Sequence, residues 1–194
     1  MDILLMGPPG AGKGTQGALL ARTLRLPKFA TGDLLRDHKK RGTPLGLKAQ
    51  AVMDAGQLVS DDLILGIVRE ELAKPEAAGG VIFDGVVRTI PQAEGVDRVL
   101  AELGRRMDVV LFFDVADEEI LARIERRREI EGRADDDPDA VKVRLEAYRA
   151  QTAPVLDYYE RQGIVRRIAA VGSVEEVQRR TLEALGHTTE TAAG

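Results

Sequence analysis

At 194 residues and a net charge of −4, the chain is long enough for one domain with small inserts, and it lacks the positive bias that would draw it to nucleic acid or an anionic membrane. The absence of cysteine excludes disulfides and thiolate metal sites and fits a reducing compartment. No run approaches ~18 consecutive apolar residues, and Met1 leads into Asp2 and a strand pattern in place of a basic leader, so a soluble cytoplasmic protein is expected. His38 and His187, the two histidines, both stand beside polar residues and read as solvated, so a histidine base or metal cluster is not expected.

Residues 2–6 are mostly apolar and read as a buried strand. Gly7-Pro-Pro-Gly-Ala-Gly-Lys-Gly-Thr15 follows, and an apolar-periodic run begins at Gln16, giving strand, glycine-rich loop and helix. Such a loop turns backbone N–H groups toward one point, the helix N-terminus adds partial positive charge, and Lys13 adds a full one: a nest for phosphates. The general phosphate-loop pattern has Ser or Thr directly after the lysine, whereas Gly14 here precedes Thr15. The plainer alternative is a tight strand-to-helix turn without a ligand; four glycines around one lysine directly after a buried strand favour the phosphate.

Leu19, Leu20, Thr23 and Leu24 continue the helix, and Leu26-Pro27 stops it. Residues 28–30 form a short strand candidate. Thr31 then caps a helix through Leu34, Leu35 and Arg36, and after a turn at residues 42–44 another helix spans 45–55. Ser60 reads as a cap, with Asp61 and Asp62 in the first turn of a helix that carries Leu63, Ile64, Ile67, Val68 and Leu72 on one stripe. Residues 81–83 make a strand that delivers Asp84 and Gly85 at its carboxyl end, where ligands sit in open α/β sheets.

Residues 89–103 read as a helix and 109–113 as another buried strand. Asp117 starts a helix bearing Arg123, Arg126, Arg127 and Arg128; a polar break at 131–138 precedes a long amphipathic helix over 139–162. Ile164, Val165 and Ile168 mark a last strand, Ser173 caps a last helix, and residues beyond Gly186 read as a frayed tail. Five strands alternating with helices predict an α/β three-layer sandwich around a parallel five-stranded sheet, interrupted by a helical insert and a short polar one.

Arginines form a second signal. Arg36, Arg88, Arg123, Arg127, Arg133 and Arg144 fall near strand ends, helix ends or the polar break. Arg123 and Arg127 are four apart on one helix face, so either an anion lies between them or Glu125 and Glu129 neutralise them on a solvated face. Arginine suits phosphate because its planar fork donates two parallel hydrogen bonds and keeps its charge. Asp84 is either a magnesium-organising carboxylate or an ordinary Asp-Gly turn residue.

Taken together, residues 7–15, Thr31-Gly-Asp-Leu-Leu-Arg36, Asp84-Gly85 with Arg88-Thr89 and Gln92-Ala93, and Glu131-Gly-Arg-Ala-Asp-Asp136 with Arg144 resemble the adenylate kinase family, to about residue 186. The glycine at position 14 is what that family has. The resemblance implies reversible phosphoryl transfer between Mg-ATP and AMP to give two ADP, in a monomer. Its implied organisation is a phosphate-loop core over 1–30, 61–126 and 139–194, a monophosphate-binding insert over 31–60, and a short lid over 127–138.

By resemblance, Lys13 and the loop residues Gly10, Ala11, Gly12, Gly14 and Thr15 hold the ATP phosphates, with Arg123, Arg127 and Gly172 also on the ATP side. The AMP site is implied at Thr31, Gly32, Leu35, Arg36, Met53, Gln57, Val59, Gly85, Arg88 and Gln92, with Arg133 and Arg144. Arg36 and Arg88 take its phosphate and Gln92 its adenine. Arg123, Arg127, Arg133 and Arg144 gather at the transferring group with Lys13 and Arg88, and Asp135 and Asp136 shape the lid. Asp84, with Thr15, organises magnesium through water, and the short lid without Cys or His implies no structural zinc.

A loose phosphoryl-transfer transition state asks for placement and charge stabilisation more than for a protein base, which agrees with many arginines and no histidine. Water must be excluded, and two inserts closing over the substrates would do so. One departure stands out. The family pattern Asp-Gly-Phe/Tyr-Pro-Arg is here Asp84-Gly-Val-Val-Arg88, and the family's proline follows a cis bond. A cis bond costs about 3 to 4 kcal/mol before a non-proline residue against roughly 0.5 to 1 before proline. The bond before Val87 is therefore expected to bear that strain or to turn trans and displace Arg88, giving an active but looser enzyme. A kinase for UMP, CMP or GMP, a non-catalytic nucleotide-binding module and a hydrolysing switch remain open as alternatives.

Overall fold

A computed structural model describes residues 1–42, 47, 52, 54, 57–132 and 136–187, with residues 37–39 described by backbone only. Strands β1 (Ile3–Met6), β2 (Lys28–Ala30), β3 (Ile82–Asp84), β4 (Val109–Asp114) and β5 (Val165–Ala169) form one sheet in the order β2-β3-β1-β4-β5. Every neighbouring pair is parallel. Between them run helices α1 (Lys13–Leu24), α2 (Thr31–Lys40), α3 (Asp61–Leu72), α4 (Ile90–Glu102), α5 (Asp117–Glu131), α6 (Pro138–Ala147), α7 (Ala153–Glu160) and α8 (Val174–Ala184).

The two-residue period of a strand explains the layering. Leu4, Met6, Phe83, Val110 and Phe112 turn to one face, where α3, α4 and α7 cover them with Val68, Val96, Leu100 and Tyr159. Ile3, Leu5, Ile82, Leu111 and Phe113 turn to the other, against Leu20 of α1 and Val177 and Leu182 of α8. A strand buried on both faces needs apolar residues throughout, which is why β1 reads as a continuous run. Each buried Leu, Val or Phe contributes about 1.5–3 kcal/mol, so the strand ends are rigid supports.

The register sets the site. Leu5 pairs with Asp84 and with Leu111, and Ala30 also pairs with Asp84, so the carboxyl ends of β1, β2 and β3 finish level beneath the glycine loop. At the opposite end of the sheet the buried Asp2 accepts the Val81 N–H at 3.1 Å and pairs with Arg105. A third apolar cluster, Ile120, Ile124 and Val141, packs α5 on α6 and so fixes where their arginines point.

Several local expectations change. The long helix predicted over 139–162 is broken by a π-helical turn at Tyr148–Thr152 between α6 and α7, and it ends at Glu160. Ser60 stands at the N-cap of α3 without a side-chain cap bond. Thr31 is the first residue of α2, and its hydroxyl donates to the Gly85 carbonyl at 2.8 Å, across to the end of β3. Ser173 does cap α8, in a reciprocal capping box with Glu176. Of the helix expected over 45–55, only residues 47, 52 and 54 are described, all helical.

Candidate active site

The loop after β1 is shaped by what glycine alone permits. A Cβ on Gly7 would lie 2.7 Å from the Phe113 carbonyl oxygen, so the chain presses directly on β4. Gly12, at φ 88°, is the left-handed N-cap of α1, a conformation that costs other residues energy. Lys13 folds back over the loop and donates to the carbonyls of Gly7 at 2.7 Å and Pro8 at 2.8 Å. Although the residue keeps partial exposure, desolvation of its ammonium lowers its pKa to about 7; Asp84 opposes the shift, and Arg88, Arg144 and Arg127 add to it. The site thus holds surplus positive charge, which an anion would relieve.

Beside this loop opens a cavity of about 680 Å³, floored by Leu5, Met6, Ala30 and Asp84 at the strand ends. Two lysines, Lys13 and Lys28, and six arginines, Arg36, Arg88, Arg123, Arg126, Arg127 and Arg144, line it, against the acidic Asp33, Asp84 and Glu131. Such a wall suits a polyanion of nucleotide size.

Four of these arginines, Arg36, Arg123, Arg127 and Arg144, are held by carboxylates. Arg123 donates to Glu119 at 2.7 Å and to the Ala170 carbonyl at 2.9 Å. Arg127 and Arg144, on α5 and α6, share the Asp136 carboxylate, whose side chain is fully buried. Burial pushes the Asp136 pKa upward, but the hydrogen bonds and charges of Arg127 and Arg144 outweigh it and hold the carboxyl below its usual range. In place of Glu125 and Glu129, the partners offered by the alternative of a solvated helix face, Arg123 pairs with Glu119 and Arg127 with Asp136. Arg36 pairs with Asp33 at 2.6 Å.

The segment after β3 is tied at three atoms of Arg88. Its Nε donates to the Gly85 carbonyl at 3.0 Å, its backbone N–H to Gln92 Oε1 at 2.7 Å, and its carbonyl accepts from Thr152 Oγ1 at 2.9 Å. Among the described residues no peptide bond is cis, so the Val86–Val87 bond is trans. Arg88 still lines the cavity, and both valines are buried, Val86 completely. Of the two outcomes expected, the trans bond is the one present, and three hydrogen bonds hold Arg88 at the cavity wall without a proline.

A family model described as Adenylate kinase matches residues 5–164. The adenylate kinase of Thermus thermophilus is 50% identical over 184 residues, covering 95% of this chain and 96% of its own. That of Gemmatimonas aurantiaca is 47% identical over 211 residues, covering 95% and 99%, and that of Thermobifida fusca 46% over 185 residues, covering 95% and 98%. The chain belongs to the adenylate kinase family. It is a phosphotransferase of the nucleoside monophosphate kinase class with a phosphate-loop α/β fold.

Of the residues the adenylate kinase resemblance singles out, Gly10, Gly12, Lys13, Gly14, Thr15, Gly32, Arg36, Gln57, Asp84, Gly85, Arg88, Arg123, Arg127 and Arg144 line the one cavity. Ala11, Thr31, Leu35 and Gln92 are buried beside it and do not line it; Val59 packs on the core, and Gly172 lies outside the lining, in the turn before α8. Met53, Arg133 and Asp135 lie outside the described residues.

Lys28, Asp33, Arg126, Tyr148 and Thr152 line the cavity without having been singled out. Lys28 was legible in principle: it precedes Ala30 by two on β2 and so shares its face. Nothing local marks Thr152, because the π-helical turn that presents it has no sequence signature. Burial pushes the Tyr148 pKa up to about 12, so its hydroxyl stays protonated and offers no base.

No helix among the described residues is long and apolar enough to cross a membrane. Nor do three or more His, Cys, Asp or Glu side chains group there as a cation cage.

Proposed function

We propose that the chain transfers a phosphoryl group reversibly from Mg-ATP to AMP, giving two ADP, within this cavity. The observation that carries the reading is a single space with the Lys13 glycine cradle, Arg36 and Arg88, and the Asp136-paired Arg127 and Arg144 all on its wall. In this reading the ATP phosphates lie on the loop amides of residues 10–15, and Lys13 leaves the Gly7 and Pro8 carbonyls to meet them. Arg36 and Arg88 bind the AMP phosphate. Arg123, Arg127 and Arg144 stabilise the negative charge spread over the transferring group. Gln92 turns its amide to adenine while its Oε1 stays on the Arg88 N–H.

Asp84 offers a hard carboxylate oxygen and Thr15 a hydroxyl on the same wall, a donor set that fits magnesium held mainly by phosphates and water. The metal would supply charge neutralisation between the phosphates. We further infer a cytoplasmic monomer, a reading supported by the family likeness and the cysteine-free sequence. ADP formation from ATP plus AMP in a coupled assay tests the central claim, with CMP, UMP and GMP compared from one ATP stock. AMP-dependent turnover is expected; nucleotide binding without it, or ATP loss without AMP, would sink the reading.

A further inference from the structure

Lys28, like Arg126, is a cavity cation with no part in the scheme above. It rises from β2 along a passage cleared by Gly17 of α1: a Cβ there would lie 3.0 Å from Lys28 Cδ and 2.8 Å from a Leu5 methyl carbon. The lysine stem is therefore clamped between helix and sheet, and only 19% of the side chain is exposed. Its ammonium stands 3.4 Å from Asp84 Oδ2 and 3.6 Å from Asp33 Oδ2. Asp84 is itself mostly covered, at 13% exposure, and lies beside Gly14 of the phosphate loop.

A protein ammonium thus already stands beside the carboxylate assigned to the divalent cation. A hydrated metal approaching Asp84 without phosphates meets the charge of Lys28 at 3.4 Å from Oδ2 and that of Lys13, which also interacts with this carboxylate. A polyphosphate reverses the balance by adding several negative charges to the same wall, so that metal and lysine can both stay.

We propose that Lys28 is a resident counter-cation of Asp84 that keeps divalent metal out of the nucleotide-free enzyme and makes metal loading depend on the incoming polyphosphate. The inference rests on the assignment of magnesium to Asp84 under the function proposed above. Lys28 is in this sense a specificity-determining residue: it acts on metal entry through Asp84 and touches no reacting atom. The Gly17 passage matters because it denies the lysine the freedom to swing away into solvent.

The test is manganese binding to the nucleotide-free protein, read from the loss of the free-ion signal in electron paramagnetic resonance. Lys28→Met keeps the stem and removes the charge, Lys28→Gln does so with a second neutral side chain, and Lys28→Arg keeps the charge. Both neutral variants are expected to bind manganese at least tenfold more tightly than the parent, with the arginine variant unchanged. Adding Asp84→Asn to Lys28→Met should abolish the gain. If neither neutral variant gains affinity, or if the gain survives Asp84→Asn, the proposal is overturned. ADP formation measured on the same parent protein judges the kinase reading separately, since the manganese signal needs no turnover.

Discussion

Lys13 finds its partners within its own loop, at Gly7 and Pro8, whereas Arg127 and Arg144 meet at Asp136 from two helices, and Arg88 is tied to Gly85, Gln92 and Thr152. Both regions present cations to one cavity. The loop takes its form from a few glycine conformations and a strand end, so its geometry belongs to one short stretch. The arginine wall exists only after β3, α4, α5, α6 and the π-helical turn have packed. Damage to the loop should therefore cost chemistry and spare the fold, while damage to the arginine wall should cost both.

The largest effect expected on the loop side is that of Lys13→Met. Removing the charge aimed at the phosphates should lower kcat by ~10²–10³-fold, in the range for loss of one preorganised stabilising donor, with little change in melting temperature. A melting temperature that fell sharply would erase the contrast between the regions.

On the arginine side, Asp136→Asn leaves Arg127 and Arg144 crowded without their shared carboxylate and should cost about 3 kcal/mol of stability together with a fall in kcat. The depressed Asp136 carboxyl contributes stability at pH values above the ordinary carboxylate range and loses it as pH falls through its own lowered pKa. Acid unfolding of the Asn variant should accordingly show a shallower dependence on pH than the parent, in denaturant titrations at several pH values.

Val86→Phe comes next. The family's aromatic residue would add apolar area, but Val86 is fully buried in the core with α3 and α4. A ring there should overpack and destabilise by about 1–3 kcal/mol, and a thermal melt of the single variant decides it. Thr152→Val removes one hydroxyl from the Arg88 carbonyl while nearly keeping shape. A loss of about 1 kcal/mol, seen as a severalfold rise in KM for AMP with KM for ATP unchanged, is expected, and Thr152→Ser should restore it.

The smallest effect returns to the loop. With its pKa at about 7, Lys13 is largely neutral at pH 8, and a polyphosphate raises that pKa. ATP binding at pH 8 should take up a fraction of a proton, and almost none at pH 5.5, where the ammonium is already formed. Calorimetry in buffers of different ionisation enthalpy measures this directly.

The amino-acid sequence by itself determined the frame and the cradle. The unbroken apolar runs along residues 3–6 and 109–113 require covered faces on both sides of a parallel sheet, and the spacing of glycines around Lys13 requires a turn that only such residues can make; both are local constraints. The residues of the arginine wall were also legible as residue types. What the tertiary structure alone decided is that Arg127 and Arg144 share Asp136, that Thr152 reaches Arg88 from a π-helical turn, and that Lys28 stands on Asp84. Those pairings join residues up to 64 positions apart in the chain, and a charge seeks whichever opposite partner packing brings within reach, a choice that no local pattern encodes.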